Sequence, residues 1–247
     1  MEVVTYANKS RGLFEELVHN SYDVPVRVLG WGTKWNGYSD KSKGMLEYIT
    51  TSKDDEDIVV FIDGFDSKIN KHPEEVEELF KSYDCRVLFS KHPDIISKYV
   101  VRQVFPMCTT EGMANAGMYM GYVRELKIIL EDELREKCQD DQVNFNKMCQ
   151  KYDFIKVDED GLIFENKSPF NMKDPSDAVF VSYPGTPTLE RIVRACRDYA
   201  QFFKWQFIFA MLVLLVTLPM GLQWIPIYAS VIGVLFYVLQ ADKSCAR

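Results

Sequence analysis

The sequence predicts an α/β domain over about residues 1–190, followed by a C-terminal hydrophobic helical hairpin. Three observations predict it. Short apolar runs alternate with stretches of helical periodicity, the pattern of strands interleaved with helices. Ile58-Val59-Val60-Phe61-Ile62 is a continuous apolar run of the kind that is buried on both faces of a parallel sheet. From Trp205 to Ala241, 37 consecutive positions carry no charge, while the residues before them are acidic overall.

The elements follow in order. Val3 to Tyr6 reads as a first strand, ended by the polar turn Asn8-Lys9-Ser10. Leu13, Phe14, Leu17 and Val18 recur at helical spacing. Val24 to Leu29 is a second strand, and Gly30-Trp31-Gly32-Thr33-Lys34-Trp35-Asn36-Gly37 a glycine and tryptophan loop. A helix is expected over Lys43–Ile49. The acids Asp54 to Asp57 then lead into the apolar run, and Asp63-Gly64-Phe65-Asp66 sits at its carboxyl end, where open α/β sheets bind ligands. Pro73 to Lys81 has acids in its first turn, as a helix should. Arg86 to Phe89 is another strand, Arg124 to Cys138 a helix, and Asp140 opens a further helix running to Gln150. Short strands are expected between Tyr152 and Phe164, and a loop from Pro169 to Asp177.

Composition narrows the function. Thirty-six acidic against 29 basic residues give a net charge of −7, which excludes a basic phosphate-binding surface and hence a nucleic-acid partner. The N-terminus shows neither the basic region nor the apolar core of an export signal. The six cysteines form no CxxC pair or zinc spacing, so reduced thiols and a cytosolic domain are expected. The uncharged tail exceeds the roughly 20 residues of one membrane span. Pro219, Gly221 and Pro226 interrupt it, which fits a hairpin dipping into the bilayer or two thin spans; a buried helical pair in a soluble protein is the competing reading. Arg191, Arg194, Arg197 and Lys204 precede it in a basic juxtamembrane helix (191–204), and Lys243 and Arg247 follow in a polar tail (242–247), placing both flanks on the cytoplasmic side.

Two carboxylates three residues apart, just past a buried strand, can converge on one divalent cation. Hard oxygen ligands suit Mn²⁺ or Mg²⁺, above all when a diphosphate completes the shell. Asp63 and Asp66 are therefore the candidate metal ligands, although spacing alone fits a solvated turn with helix-capping acids better. Gly112 to Gly121 holds small residues and three glycines, which suggests a tight loop against a ligand or a turn packed on the core. Asp140-Asp141-Gln142 is either an acidic binding motif or ordinary helix capping. His19, His72 and His92 read as surface residues.

In this order and spacing, the segments resemble the glycosyltransferase domain of the procollagen lysyl hydroxylase and collagen galactosyl/glucosyltransferase family. Val3-Val4-Thr5-Tyr6-Ala7 is similar to its opening strand, Val28 to Gly37 to its glycine/tryptophan loop, and Lys43 to the lysine that follows. Phe61 to Asp66 resembles its metal motif, Phe105-Pro106 and Ala114-Asn115-Ala116-Gly117 a later segment, and Asp140-Asp141-Gln142 its acidic sugar-binding motif. Asp158 and Ile163-Phe164-Glu165-Asn166 match further stretches. The resemblance implies a GT-A, Rossmann-like fold with a mixed central sheet, a UDP-sugar donor and Mn²⁺ (or Mg²⁺). It implies Asp63 and Asp66 as metal ligands, Thr5, Tyr6, Lys43, Phe65, Asn115 and Gly117 against the nucleotide-sugar, and Asp140 and Asp141 as the catalytic, sugar-facing acids.

One departure stands out. The family's His-Gly-Asn-Gly-Pro stretch, whose His is a third metal ligand, corresponds here to Tyr183-Pro184-Gly185-Thr186-Pro187. The expectation is a metal-dependent hexosyltransferase, held to a membrane with its catalytic domain in the cytosol and using an unidentified hydroxyl acceptor. An inactive binding or scaffold module of the same fold is the alternative.

Overall fold

The computed structural model describes residues 1–93, 106–109, 112–138, 140–167 and 171–183, together with four isolated helical positions at 205, 208, 212 and 230. The chain divides into two units, Met1–Gly185 and Thr186–Arg247, and every element below belongs to the first. The expected hairpin over 205–241 and the segments flanking it fall almost wholly outside the described residues. Among the described residues no helix is long and apolar enough to cross a membrane.

The elements are β1 (Glu2–Tyr6), α1 (Phe14–Val18), β2 (Val26–Leu29), α2 (Ser39–Ser52), β3 (Ile58–Ile62), β4 (Ser67–Ile69), α3 (Val76–Ser82), β5 (Val87–Lys91) and β6 (Ala114–Tyr122), followed by α4 (Val123–Arg135), α5 (Asp141–Lys151), β7 (Ile155–Asp158), β8 (Phe164–Asn166) and β9 (Phe180–Ser182). Six strands form one sheet in the order β2-β1-β3-β6-β5-β7. β1 runs parallel to β2 and β3, and β5 parallel to β7, while β6 is antiparallel to both its neighbours. A second sheet, β4-β9-β8, is built from segments too short and irregular to show period-two alternation in sequence.

Two hydrophobic clusters show why the strands read as they do. Val4, Val59, Phe61, Phe89 and Tyr119 point to one face, against Met45 and Ile49 of α2, Leu126 and Ile129 of α4, and Phe145 of α5. Val3, Val60, Ile62, Leu88 and Met120 point to the other, against Leu17, Phe80, Phe164 and Phe180. Alternate residues of β3 therefore enter opposite cores, and all five are buried. This mixed sheet covered on both faces fits the expected GT-A, Rossmann-like fold.

Two expectations are corrected. Most of the small-residue stretch Gly112–Gly121 is the central strand β6, not a loop. Smallness is needed there because β5 lies so close: a Cβ on Gly121 would sit 2.8 Å from the Arg86 carbonyl oxygen and 2.9 Å from Val87 Cγ2. The cysteines are not all reduced thiols either. Cys108 and Cys149 form a disulfide across 41 residues of sequence, because the turn before β6 packs on α5 and brings their Cα atoms to 4.8 Å.

Candidate active site

The site forms where β3, β6 and α5 meet. β3 ends at Ile62, and the Asp63 amide then donates to the Gly117 carbonyl at 2.7 Å, tying the aspartate loop to β6. The Asp63 Oδ1 accepts from the Phe65 amide at 3.2 Å, which tightens the turn. Thr5 braces the loop from beneath: its buried hydroxyl donates to the Ile62 carbonyl at 2.7 Å. Gly64 is needed at this spot, since an added Cβ would meet Thr5 Oγ1 at 2.8 Å. On the other side, the Leu13 amide donates to the Phe65 carbonyl at 2.9 Å. That approach requires Gly12, with φ +62 and no room for a side chain.

Asp66 sits across the turn. Its Oδ1 accepts from the Ser182 hydroxyl at 3.3 Å, and its carbonyl accepts from the Tyr183 amide at 2.7 Å. Tyr183 thus lies beside the candidate metal ligand. Among the described residues no group of three or more His, Cys, Asp or Glu side chains is arranged to hold a metal ion. A cation here would rest on Asp63 and Asp66, with the remainder of its shell from substrate or water.

Lys41 connects the aspartate loop to the acidic motif. Its ammonium lies 2.8 Å from Asp141 Oδ2 and 3.7 Å from Asp63 Oδ2, with only 12% of the side chain exposed. Burial alone would lower its pKa, but the pull of Asp141 and then Asp63 overcomes it, and the group is held above the ordinary lysine value. A positive charge is therefore stabilised between the two acidic motifs. That ammonium offsets part of the carboxylate charge beside Asp63.

The expected residues divide as follows. Asp140 takes the capping role: its Oδ1 accepts from the Val143 amide at 3.1 Å at the start of α5. Asp141, 6% exposed, faces Lys41. Lys43 lies on the exposed side of α2, so the lysine of this segment that reaches the site is Lys41; two positions on a helix turn a side chain about 200° away. Thr5 is wholly buried with its hydroxyl committed to Ile62. Tyr6 packs under the glycine/tryptophan loop, its hydroxyl 3.3 Å from Thr33 Oγ1 and its ring against Gly30 and Gly44. Phe65 is half-buried, with the Arg11 guanidinium 4.9 Å from its ring centre.

Asn115 and Gly117 belong to a network that sequence reasoning missed. The Asn115 Oδ1 accepts from the Gly117 amide at 2.8 Å, which orients its Nδ2 toward Gln142 Oε1 at 3.2 Å and His92 Nδ1 at 3.3 Å. Gln142 Nε2 also reaches His92 Nδ1 at 3.3 Å. Two amide donors converge on Nδ1, so that nitrogen is the acceptor and the ring proton sits on Nε2. His92 is thus part of the site and not a surface residue. A lone histidine just past a strand gives no periodic signal by which to find it.

Behind Asp141, Glu133 is 4% exposed, and among the described residues neither its Oε2 nor Asn144 Oδ1 has a hydrogen-bond partner. Burial pushes the Glu133 carboxyl up from its ordinary 4.5, against the bonds from Asn144 and Ser42. A raised folded pKa means that the stabilisation is present below the unfolded value and lost as pH rises through the folded one. Glu133→Gln is therefore expected to stabilise the chain by about 1 kcal/mol at pH 7. Denaturant unfolding at pH 7 and near pH 4.5 checks this, because the gain should shrink at the lower pH; an equal effect at both would contradict it.

Known proteins match the chain over the unit that holds this candidate site. The family model described as the PLOD GT domain matches residues 1–172. The chain is 30% identical over 139 residues to a procollagen-lysine,2-oxoglutarate 5-dioxygenase of Drosophila melanogaster, covering 51% of this chain and 19% of the relative. It is 26% identical over 183 residues to a multifunctional procollagen lysine hydroxylase and glycosyltransferase of Caenorhabditis elegans, covering 66% and 25%. The matched part is thus a quarter or less of each relative's length. The family match takes in Thr5, the aspartate loop, β6 and Asp140-Asp141 together, and the chain belongs to the PLOD GT domain family.

Proposed function

We propose that the chain is a metal-dependent glycosyltransferase that moves a hexose from a UDP-sugar to a hydroxyl acceptor. The observation that carries this reading is the Asp63–Lys41–Asp141 contact, which brings two motifs distant in sequence to one point at the carboxyl end of β3. Asp63 and Asp66 would hold Mn²⁺ or Mg²⁺, which when bound offsets the charge of the diphosphate as it leaves. Lys41 adds positive charge where that diphosphate would lie. Asp141 faces the same space and is placed to accept from sugar hydroxyls or to stabilise positive charge developing at the anomeric carbon. Asp140 fixes the helix start that aims Asp141. Phe65 and Arg11 offer a flat, partly exposed surface to a base.

Attachment to a membrane through residues 205–241 is part of the proposal and rests on their uncharged, apolar composition. The Cys108–Cys149 disulfide favours an oxidising compartment for the catalytic unit over the cytosol. Tyr183 in place of a third metal ligand favours one alternative, an inactive scaffold of the same fold. Calorimetry with UDP separates the two. Binding is expected only when Mn²⁺ is present, followed by UDP release from at least one member of a UDP-sugar panel. Absence of metal-dependent binding would establish the scaffold reading.

A further inference from the structure

A cavity of about 390 Å³ opens beside the candidate active site, at the carboxyl ends of β5 and β7. His92 forms part of its wall, and the same ring accepts from Asn115 and from Gln142, the neighbour of Asp141. The cavity and the acidic motif therefore meet at His92. Five carboxylates line it (Asp158, Glu159, Asp160, Glu165 and Asp177) against one lysine, Lys91. Most of these are already engaged. Asp158 accepts from Tyr83 and three backbone amides, Glu159 from Thr109 and Lys91, Glu165 from Lys167 and Ser176, and Asp177 from Lys71. Lys91, Lys167 and Lys71 offset three of the five charges, which leaves the lining net negative.

Asn166 differs from them. It lines the cavity, is only 7% exposed, and donates Nδ2 to the Lys91 carbonyl at 2.8 Å. That bond fixes which amide atom is which, and it leaves Oδ1 buried with no donor among the described residues. A buried amide oxygen without a partner costs about 1–3 kcal/mol unless something supplies the hydrogen bond.

We propose that this cavity is the acceptor pocket of the transferase, that Asn166 Oδ1 accepts a hydrogen bond from the acceptor alcohol, and that the carboxylate lining excludes alcohols bearing negative charge near the hydroxyl. The inference rests on the transferase reading above. In the transfer, the acceptor oxygen bonds to the anomeric carbon as the bond from that carbon to the β-phosphate oxygen breaks. The electron pair leaves with UDP, and the hydroxyl proton passes to solvent.

The test uses the isotope-labelled full chain in detergent with UDP and Mg²⁺, titrated with glycerol as a neutral alcohol and with glycerate as its anionic counterpart. Glycerol is expected to shift the Asn166 side-chain amide and the Gly161 backbone amide, and glycerate to leave both unmoved. In Asn166→Leu the glycerol shift at Gly161 should disappear while UDP affinity stays within about twofold. Glycerol shifts absent from these positions, equal shifts with glycerate, or an unchanged response in a folded Asn166→Leu would each overturn the proposal. The glycerol and glycerate comparison needs no variant and can be repeated without UDP. Failure of UDP to bind would count against the transferase reading and not against the pocket.

Discussion

Asp63→Ala is expected to yield a folded chain that no longer binds UDP in response to Mn²⁺, with UDP release lowered about a hundredfold or more. The fold should survive because the aspartate loop is held by main-chain atoms. The Asp63 amide bonds Gly117, the Phe65 carbonyl takes Leu13, and Thr5 takes the Ile62 carbonyl. Lys41 also keeps Asp141 as its closer partner. Only the carboxylate is lost, and with it one of two candidate ligands for the cation. Titration of UDP with and without Mn²⁺, beside a thermal melt, distinguishes this from unfolding. A variant that binds and turns over as the parent does would remove Asp63 from the metal site.

Lys41→Met should act on stability as well as on diphosphate binding. Removing the ammonium strands the carboxylate of Asp141, which is 6% exposed and has Lys41 at 2.8 Å. Breaking a buried ion pair from one side costs about 3–5 kcal/mol. The raised lysine pKa fixes the sign of the pH dependence: the stabilisation is fully present below the ordinary lysine value of 10.5 and fades only above it. The loss should therefore be constant across neutral pH. Denaturant midpoints at pH 6 and pH 8 would check both the size and the constancy. The double variant with Asp141→Asn should recover much of the loss, because the stranded charge is then gone.

Much of the fold was legible because the large elements bury whole faces. The apolar run of β3 and the helical periodicity of the α4 segment each state their surroundings in composition. β4 and β9 were not legible: three residues each, Ser67–Ile69 and Phe180–Ser182, are too few for alternation to show. β6 was misread because its small residues answer to a neighbouring strand, a tertiary reason that local propensity does not carry. Within the candidate site, the acids at 63, 66 and 141 were singled out by motif. Choosing Lys41 over Lys43 needed the helix phase, and His92 needed contacts with β6 and α5.

β6 emerges from the ribosome after β5, yet it lies between β3 and β5. The middle of the sheet cannot close until synthesis has passed Tyr122. Until then the apolar β3 segment has one unpaired edge, the kind of surface that recruits other chains. Truncated products ending before β6 should accumulate as aggregates or as chaperone clients, and attempts to produce shorter versions of this domain should begin from fragments that retain that strand.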